Sequence, residues 1–146
     1  MPKATITIIG LGKRGSSVGL ALKTPELDFQ VIGHDKDSQV AKKARSLGAV
    51  DSTPWNLISA CEAADVVILT IPFDQVKATL TAIGNELKPG CVVLDTSPFK
   101  QPVQDVLGGP SERGGGTGWG PEWPPSIEFS ATAGTFRRAW PIAKPP

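Results

Sequence analysis

Between residues 4 and 107 the hydrophobic positions alternate between runs suited to strands and stripes suited to helices. Short apolar runs predict strands near Thr5–Ile9, Gln30–His34, Val50–Asp51, Asp65–Ile71 and Cys91–Asp95. A first helix is expected over Ser16–Lys23. A second, Ser38–Leu47, places Val40, Ala44 and Leu47 on one face and Lys42, Lys43 and Arg45 elsewhere, with Gly48 where a left-handed C-cap belongs. A third is expected to start at Thr53-Pro54, a capping hydroxyl before a first-turn proline. A fourth follows Asp74 and carries Val76, Leu80, Ile83 and Leu87 as one apolar stripe, before Pro89-Gly90 turns the chain. The runs Val66–Leu69 and Val92–Leu94 are apolar on both faces, as in a parallel sheet covered by helices on each side. Right-handed crossovers then predict an α/β fold, a doubly wound parallel sheet of order 3-2-1-4-5. Its ligand crevice would lie between strands one and four.

The turn after the first strand adds chemistry to this pattern. Gly10-Leu11-Gly12-Lys13-Arg14-Gly15 joins the first strand to the first helix, the context in which G-x-G-x-x-G cradles a dinucleotide pyrophosphate. Gly10 permits the tight turn, and Gly12 lets an anion approach the backbone. Gly15 brings the helix close to the sheet, while the helix N-terminus faces the phosphates. Asp35 ends the second apolar run, twenty positions beyond Gly15. An acid there can accept hydrogen bonds from both ribose hydroxyls and repels a 2′-phosphate, so a Rossmann-type domain using NAD is expected. Arg14 and Lys36 could each reach a 2′-phosphate, which keeps NADP open. The competing readings of Asp35 are a surface turn acid and the N-terminal charge of the next helix.

Composition changes the picture at one place. From residue 108 to 146 the chain holds 8 of its 16 glycines, 7 of its 14 prolines and 3 of its 4 tryptophans, with no apolar period. Gly114–Gly116, Pro124-Pro125 and Pro145-Pro146 oppose regular structure. Residues 1–107 are therefore expected to form one domain, and 108–146 an irregular tail, either disordered or the product of a shifted reading frame. Elsewhere composition mainly excludes. A net charge of +1 gives no electrostatic case for nucleic acid or a membrane surface. No signal peptide or transmembrane-length run appears, and Cys61 and Cys91 sit in apolar segments without metal spacing. These features predict a cytoplasmic chain with buried, reduced thiols and no metal.

The ends of the fourth and fifth predicted strands should carry the reacting side of the crevice. Ile71 and Pro72 end one, and Asp95-Thr96-Ser97-Pro98-Phe99-Lys100 ends the other. Ser97 before Pro98 also reads as a helix N-cap with proline at N1, and Lys100 also reads as a solvated lysine.

Taken in order, several blocks resemble the nucleotide-binding half of prephenate/arogenate dehydrogenases. They are Ile6–Leu22 with its glycine turn, Val31–Asp35, Leu47–Asp51, Ala64–Pro72 and Asp95–Lys100. The resemblance spans nearly all of 4–107. It implies oxidative decarboxylation of prephenate or arogenate in tyrosine biosynthesis, with hydride passing to NAD(P). It implies that Gly10, Leu11, Gly12, Lys13, Arg14, Gly15 and Asp35 bind the cofactor. It further implies that Ile71 and Pro72 flank its nicotinamide side, and that Ser97 and Lys100 lie by the substrate as weak catalytic candidates. Family members dimerise through a helical domain that also follows the family's catalytic histidine, and neither is found in these 146 residues. Lys13 and Arg14 depart from the apolar residues usual in the family. The one histidine, His34, belongs to the second strand, at the wrong end of the cofactor for a general base. The isolated chain is thus expected to be inactive. Two other readings stay open: a non-catalytic NAD(H)-binding module, and another Rossmann reductase of the β-hydroxyacid dehydrogenase/imine reductase group.

Overall fold

The computed structural model describes residues 3–96, apart from the Phe73 side chain, together with the backbone of residues 127–130 and 135–138. Elements follow in the order β1 (Ala4–Ile9), α1 (Lys13–Leu22), β2 (Phe29–His34), α2 (Ser38–Ser46), α3 (Leu57–Cys61), β3 (Val66–Leu69), α4 (Phe73–Ile83), β4 (Val92–Asp95), β5 (Ile127–Ser130) and β6 (Thr135–Arg138). The sheet order is β2-β1-β3-β4-β6-β5. The first four strands are parallel, with Ile6 beside both Val31 and Val66, and Val66 beside Val92.

Alternation along each strand sorts the core into two layers, because successive side chains point to opposite faces. Ile6, Ile8 and Ile68 face α1 and α2, where they meet Ala41, Ala44 and Val50. Ile9, Val67, Leu69 and Val93 face α3 and α4, where they meet Cys61, Val76, Leu80 and Ile83. Helices on both faces are what the doubly apolar runs demanded. Thr7 is the fully buried exception, and its hydroxyl donates to the Ala60 carbonyl at 2.6 Å.

Several predicted elements are corrected in detail. The strand expected at Val50–Asp51 is reduced to one parallel bridge, Ile32 with Ser52, at its predicted place outside β2. Asp51 N–H donates to Val31 and Gly33 N–H to Ser52, and Pro54 follows before a longer ladder can form. Helix α1 begins at Lys13 rather than Ser16, since Gly12 itself serves as N-cap. Helix α3 is capped by Asn56, whose Oδ1 accepts from Ile58 N–H, and not by Thr53. In α2 the buried face is Ala41 and Ala44, whereas Leu47 is 55% exposed. Gly48 does take the left-handed conformation, at φ 76°. Helix α4 stops at Ile83, and Leu87 reaches the same core from the following turn.

The segment 108–146 was expected to hold no regular element, yet it contributes β5 and β6. Strand β6 pairs antiparallel with β4, and β5 with β6. The two segments, Ile127-Glu128-Phe129-Ser130 and Thr135-Phe136-Arg137-Arg138, lie between the prolines rather than on them and hold β-branched and aromatic residues. They satisfy the open edge of β4, which would otherwise present unpaired N–H and C=O groups. Among the described residues no helix is long and apolar enough to cross a membrane, and no cluster suited to a metal ion occurs.

Candidate functional site

The C-terminal ends of β1, β2 and β3 converge on the glycine turn. Gly10 has φ 93°, and a Cβ there would lie 2.9 Å from the Thr70 carbonyl oxygen, so glycine is required twice over. The Gly10 amide donates to the His34 carbonyl at 2.8 Å, tying the turn to β2. A Cβ on residue 15 would overlap the Gly10 carbonyl oxygen, which is how α1 seats against the turn. Gly12 differs: no atom lies within 4 Å of its would-be Cβ. It caps α1 with no side-chain hydrogen bond, and the first turn contains no acid. Lys13 and Arg14 instead place two cations there, against the helix dipole.

Asp35 holds the turn from the other side. One carboxylate oxygen accepts from Leu11 N–H and the other from Asp37 N–H, each at 2.8 Å. Asp37 in turn caps α2 through Gln39 N–H at 2.9 Å. Asp35 therefore serves the following turn, one of the roles weighed for it, and also orders the glycine turn. A carboxylate offers about four lone-pair sites, so two remain for a ligand.

Thr70, which the sequence placed at the end of the fourth predicted strand with no role of its own, braces the turn. Its Oγ1 donates to the Ile9 carbonyl at 3.0 Å and to the Gly10 carbonyl, while its own N–H donates to Ile9. The legible signal was a hydroxyl directly after an apolar run, at the register position beside the turn. Ser16 completes the cradle by donating to the Leu11 carbonyl at 2.8 Å.

Two depressions flank this cradle. The first, of about 370 Å³, has Gly10, Gly12, His34, Asp35 and Lys36 on one side and Thr70, Ile71, Pro72 and Gln75 on the other, with Leu57 and Thr79 farther along. The second, of about 310 Å³, is formed by Lys13, Arg14, Ser17, Val18, Thr70 and Thr96. Only Thr70 belongs to both. Gly10, Gly12, Asp35, Ile71 and Pro72 are thus brought together, whereas Lys13 and Arg14 stand in the other depression. Lys36, not Arg14, is the cation that accompanies Asp35. Leu11 is buried beneath the turn, with its side chain where a Cβ on Gly33 would fall. His34 Nδ1 lies 3.2 Å from the Pro54 carbonyl, which fixes the ring at the wall of the first depression. Ser97 and Lys100 lie outside the described residues.

The shifted titrations lie elsewhere. Burial pushes the Cys61 thiol up to about 12, with Cys91 adding to it, so Cys61 is an inert core group. The Lys88 hydrogen bond and Thr5 N–H hold Asp65 below the usual carboxylate range. Burial raises Asp51, but Lys23, Val31 N–H and Lys3 outweigh it and leave that carboxyl lowered.

Comparison with known proteins bears on the family and the fold. The family described as prephenate dehydrogenase, nucleotide-binding domain, matches residues 18–109. The prephenate dehydrogenase of Lactococcus lactis is 31% identical over 102 residues, covering 69% of this chain and 28% of that protein. The cyclohexadienyl dehydrogenase of Zymomonas mobilis is 34% identical over 102 residues, covering 70% and 35%. Among solved structures, Aquifex aeolicus prephenate dehydrogenase in complex with hydroxyphenyl propionate and NAD+ superposes with a TM-score of 0.61 at 19% identity. That match covers 74% of this chain and 40% of the other. Synechocystis arogenate dehydrogenase gives 0.60 at 23% identity, covering 72% and 38%. The chain spans about a third of the curated relatives' length. It belongs to the prephenate dehydrogenase family and corresponds to that family's nucleotide-binding domain.

Proposed function

We propose that this chain is the NAD-binding half of a dehydrogenase that oxidatively decarboxylates prephenate or arogenate. One observation carries the reading: Gly12 is open to solvent space on the wall of the same depression that holds Asp35. The residues fit a dinucleotide. Gly12 and the uncapped first turn of α1 would take the pyrophosphate. Asp35, already oriented by Leu11 and Asp37, has lone pairs left for ribose hydroxyls. Ile71 and Pro72 share the depression with Asp35, so in this reading they contact the adenosine-side half of the cofactor rather than the nicotinamide. When bound, NAD+ supplies a hydride acceptor. The chain's own part is to bind and orient it, and Ser97 and Lys100 are proposed to line the substrate side.

The carboxylate of Asp35 sets the choice of nucleotide, because a 2′-phosphate placed against it meets like charge. Calorimetric titration of the 146-residue chain should show NADH binding more tightly than NADPH. Asp35→Ala should narrow the gap, mainly by weakening NADH. Equal or reversed affinities in the unmodified chain would remove Asp35 from this role.

A further inference from the structure

The first depression extends beyond the residues that the proposed function uses. Gln75 and Thr79 stand one turn apart on α4, next to Val76 and Leu80, which belong to the core. Both are half-buried and both line the depression, as does Leu57 of α3. Neither side chain makes a hydrogen bond among the described residues. Thr81 on the same helix shows the usual alternative, its hydroxyl donating back to the Lys77 carbonyl at 2.8 Å. Thr79 does not turn back in this way. A half-buried amide and hydroxyl left unpaired along one wall keep their hydrogen-bonding capacity for whatever fills the depression.

The geometry points to Gln75 as a specificity residue that reads the edge of the nucleobase and selects adenine. In a nucleotide the base leaves the ribose on the side away from the 5′-phosphate. With the pyrophosphate at Gly12 and the ribose at Asp35, the base is directed toward the lining that remains, Leu57, Gln75 and Thr79. The Gln75 amide offers an acceptor beside a donor, and adenine presents the matching pair, its 6-amino N–H and N7. A 6-oxo purine presents two acceptors there, so the amide oxygen is left facing a carbonyl. The Thr79 hydroxyl donates or accepts equally and holds either base without choosing between them. Leu57 supplies apolar contact for the ring. The inference rests on the proposed function in taking Gly12 and Asp35 as the pyrophosphate and ribose contacts.

The test is an NMR amide-shift titration of the full chain with AMP, with IMP, which differs from AMP only in its 6-oxo base, and with NADH. AMP should shift the Gln75 side-chain amide and the Leu57 and Thr79 backbone amides, and should bind at least about fivefold more tightly than IMP. Gln75→Met keeps the length of the side chain on an exposed helix face and should bring the two affinities within about twofold, because the reading edge is gone. Thr79→Val should weaken both nucleotides and leave their ratio unchanged. Equal affinities of AMP and IMP for the unmodified chain, or no binding of AMP, would overturn the assignment, whatever NADH does. A preference that survives in Gln75→Met, or one that Thr79→Val abolishes, would overturn it as well. Failure of NADH to bind, with the preference for AMP intact, would instead sink the proposed function and leave the base reading to stand.

Discussion

Gly12 and Gly15 stand three residues apart in one motif, yet the structure asks different things of them. At 15 an added methyl collides with a backbone carbonyl that cannot move without breaking the β1 turn; at 12 it meets open space. Gly15→Ala should therefore cost about 3 kcal/mol of stability, an overpacking penalty. Gly12→Ala should stay within about 1 kcal/mol, the scale of an N-cap change. Urea unfolding of both variants checks this, and similar midpoints would contradict the packing described. On the proposed function, Gly12→Ala should nonetheless weaken NADH. Thr70 acts on the same turn through hydrogen bonds. Thr70→Val keeps the volume but leaves the Gly10 carbonyl without its hydroxyl donor, whereas the Ile9 carbonyl retains Thr70 N–H. About 1–3 kcal/mol should be lost. Thr70→Ser should recover most of it, and a serine variant as unstable as valine would show that the hydroxyl is not what matters.

At the scale of elements, β1 and β2 are secured alike at the ends opposite the site. Asp65 accepts from Thr5 N–H and pairs with Lys88; Asp51 accepts from Val31 N–H and pairs with Lys23. Each carboxylate accepts from an amide in the first half of a strand, Asp65 in β1 and Asp51 in β2. Both titrate lower in the folded chain than the ordinary 3.8. On acidification the unfolded chain therefore takes up protons first. Their contribution is complete above about pH 4–5 and disappears as pH falls through the folded values. Unfolding midpoints measured from pH 6 to pH 2.5 should drop most steeply below pH 4. Asp65→Asn with Asp51→Asn should flatten that drop, and an unchanged slope would rule these groups out as its source. Neither pair was visible in the sequence, since the partners are 20 to 60 residues apart.

For the whole molecule, binding and turnover separate. Proton removal needs a base within hydrogen-bond reach, and the single histidine is fixed beside Pro54 on the Asp35 side of the cradle. On the proposed function, want of a base at the reacting side typically removes ~10²–10⁴ in rate. The 146-residue chain assayed alone with NAD+ and prephenate or arogenate should show no enzyme-proportional NADH formation at 340 nm. Turnover that survives removal of contaminants would mean that His34 or a group outside the described residues takes the proton.

What the sequence determined by itself is whatever short-range pattern controls. Short apolar runs, two of them apolar on both faces, the glycines at 10, 12 and 15 and the acid at 35 were enough for the parallel α/β sheet and the location of its crevice. Each of these depends on a residue's own conformational freedom or on its immediate neighbours. The tertiary structure decided what depends on partners distant in the chain. Thr53 lost the cap of α3 to Asn56, and Leu47 of α2 stayed out in solvent while Ala41 went in, because these outcomes turn on where each helix lands on the sheet. Thr70 reached the glycine turn from 60 residues away, and Asp35 met Leu11 across 24. Neighbouring positions in the motif were likewise divided between two depressions, since α1 turns Lys13 and Arg14 away from the side on which Gly12 faces Asp35.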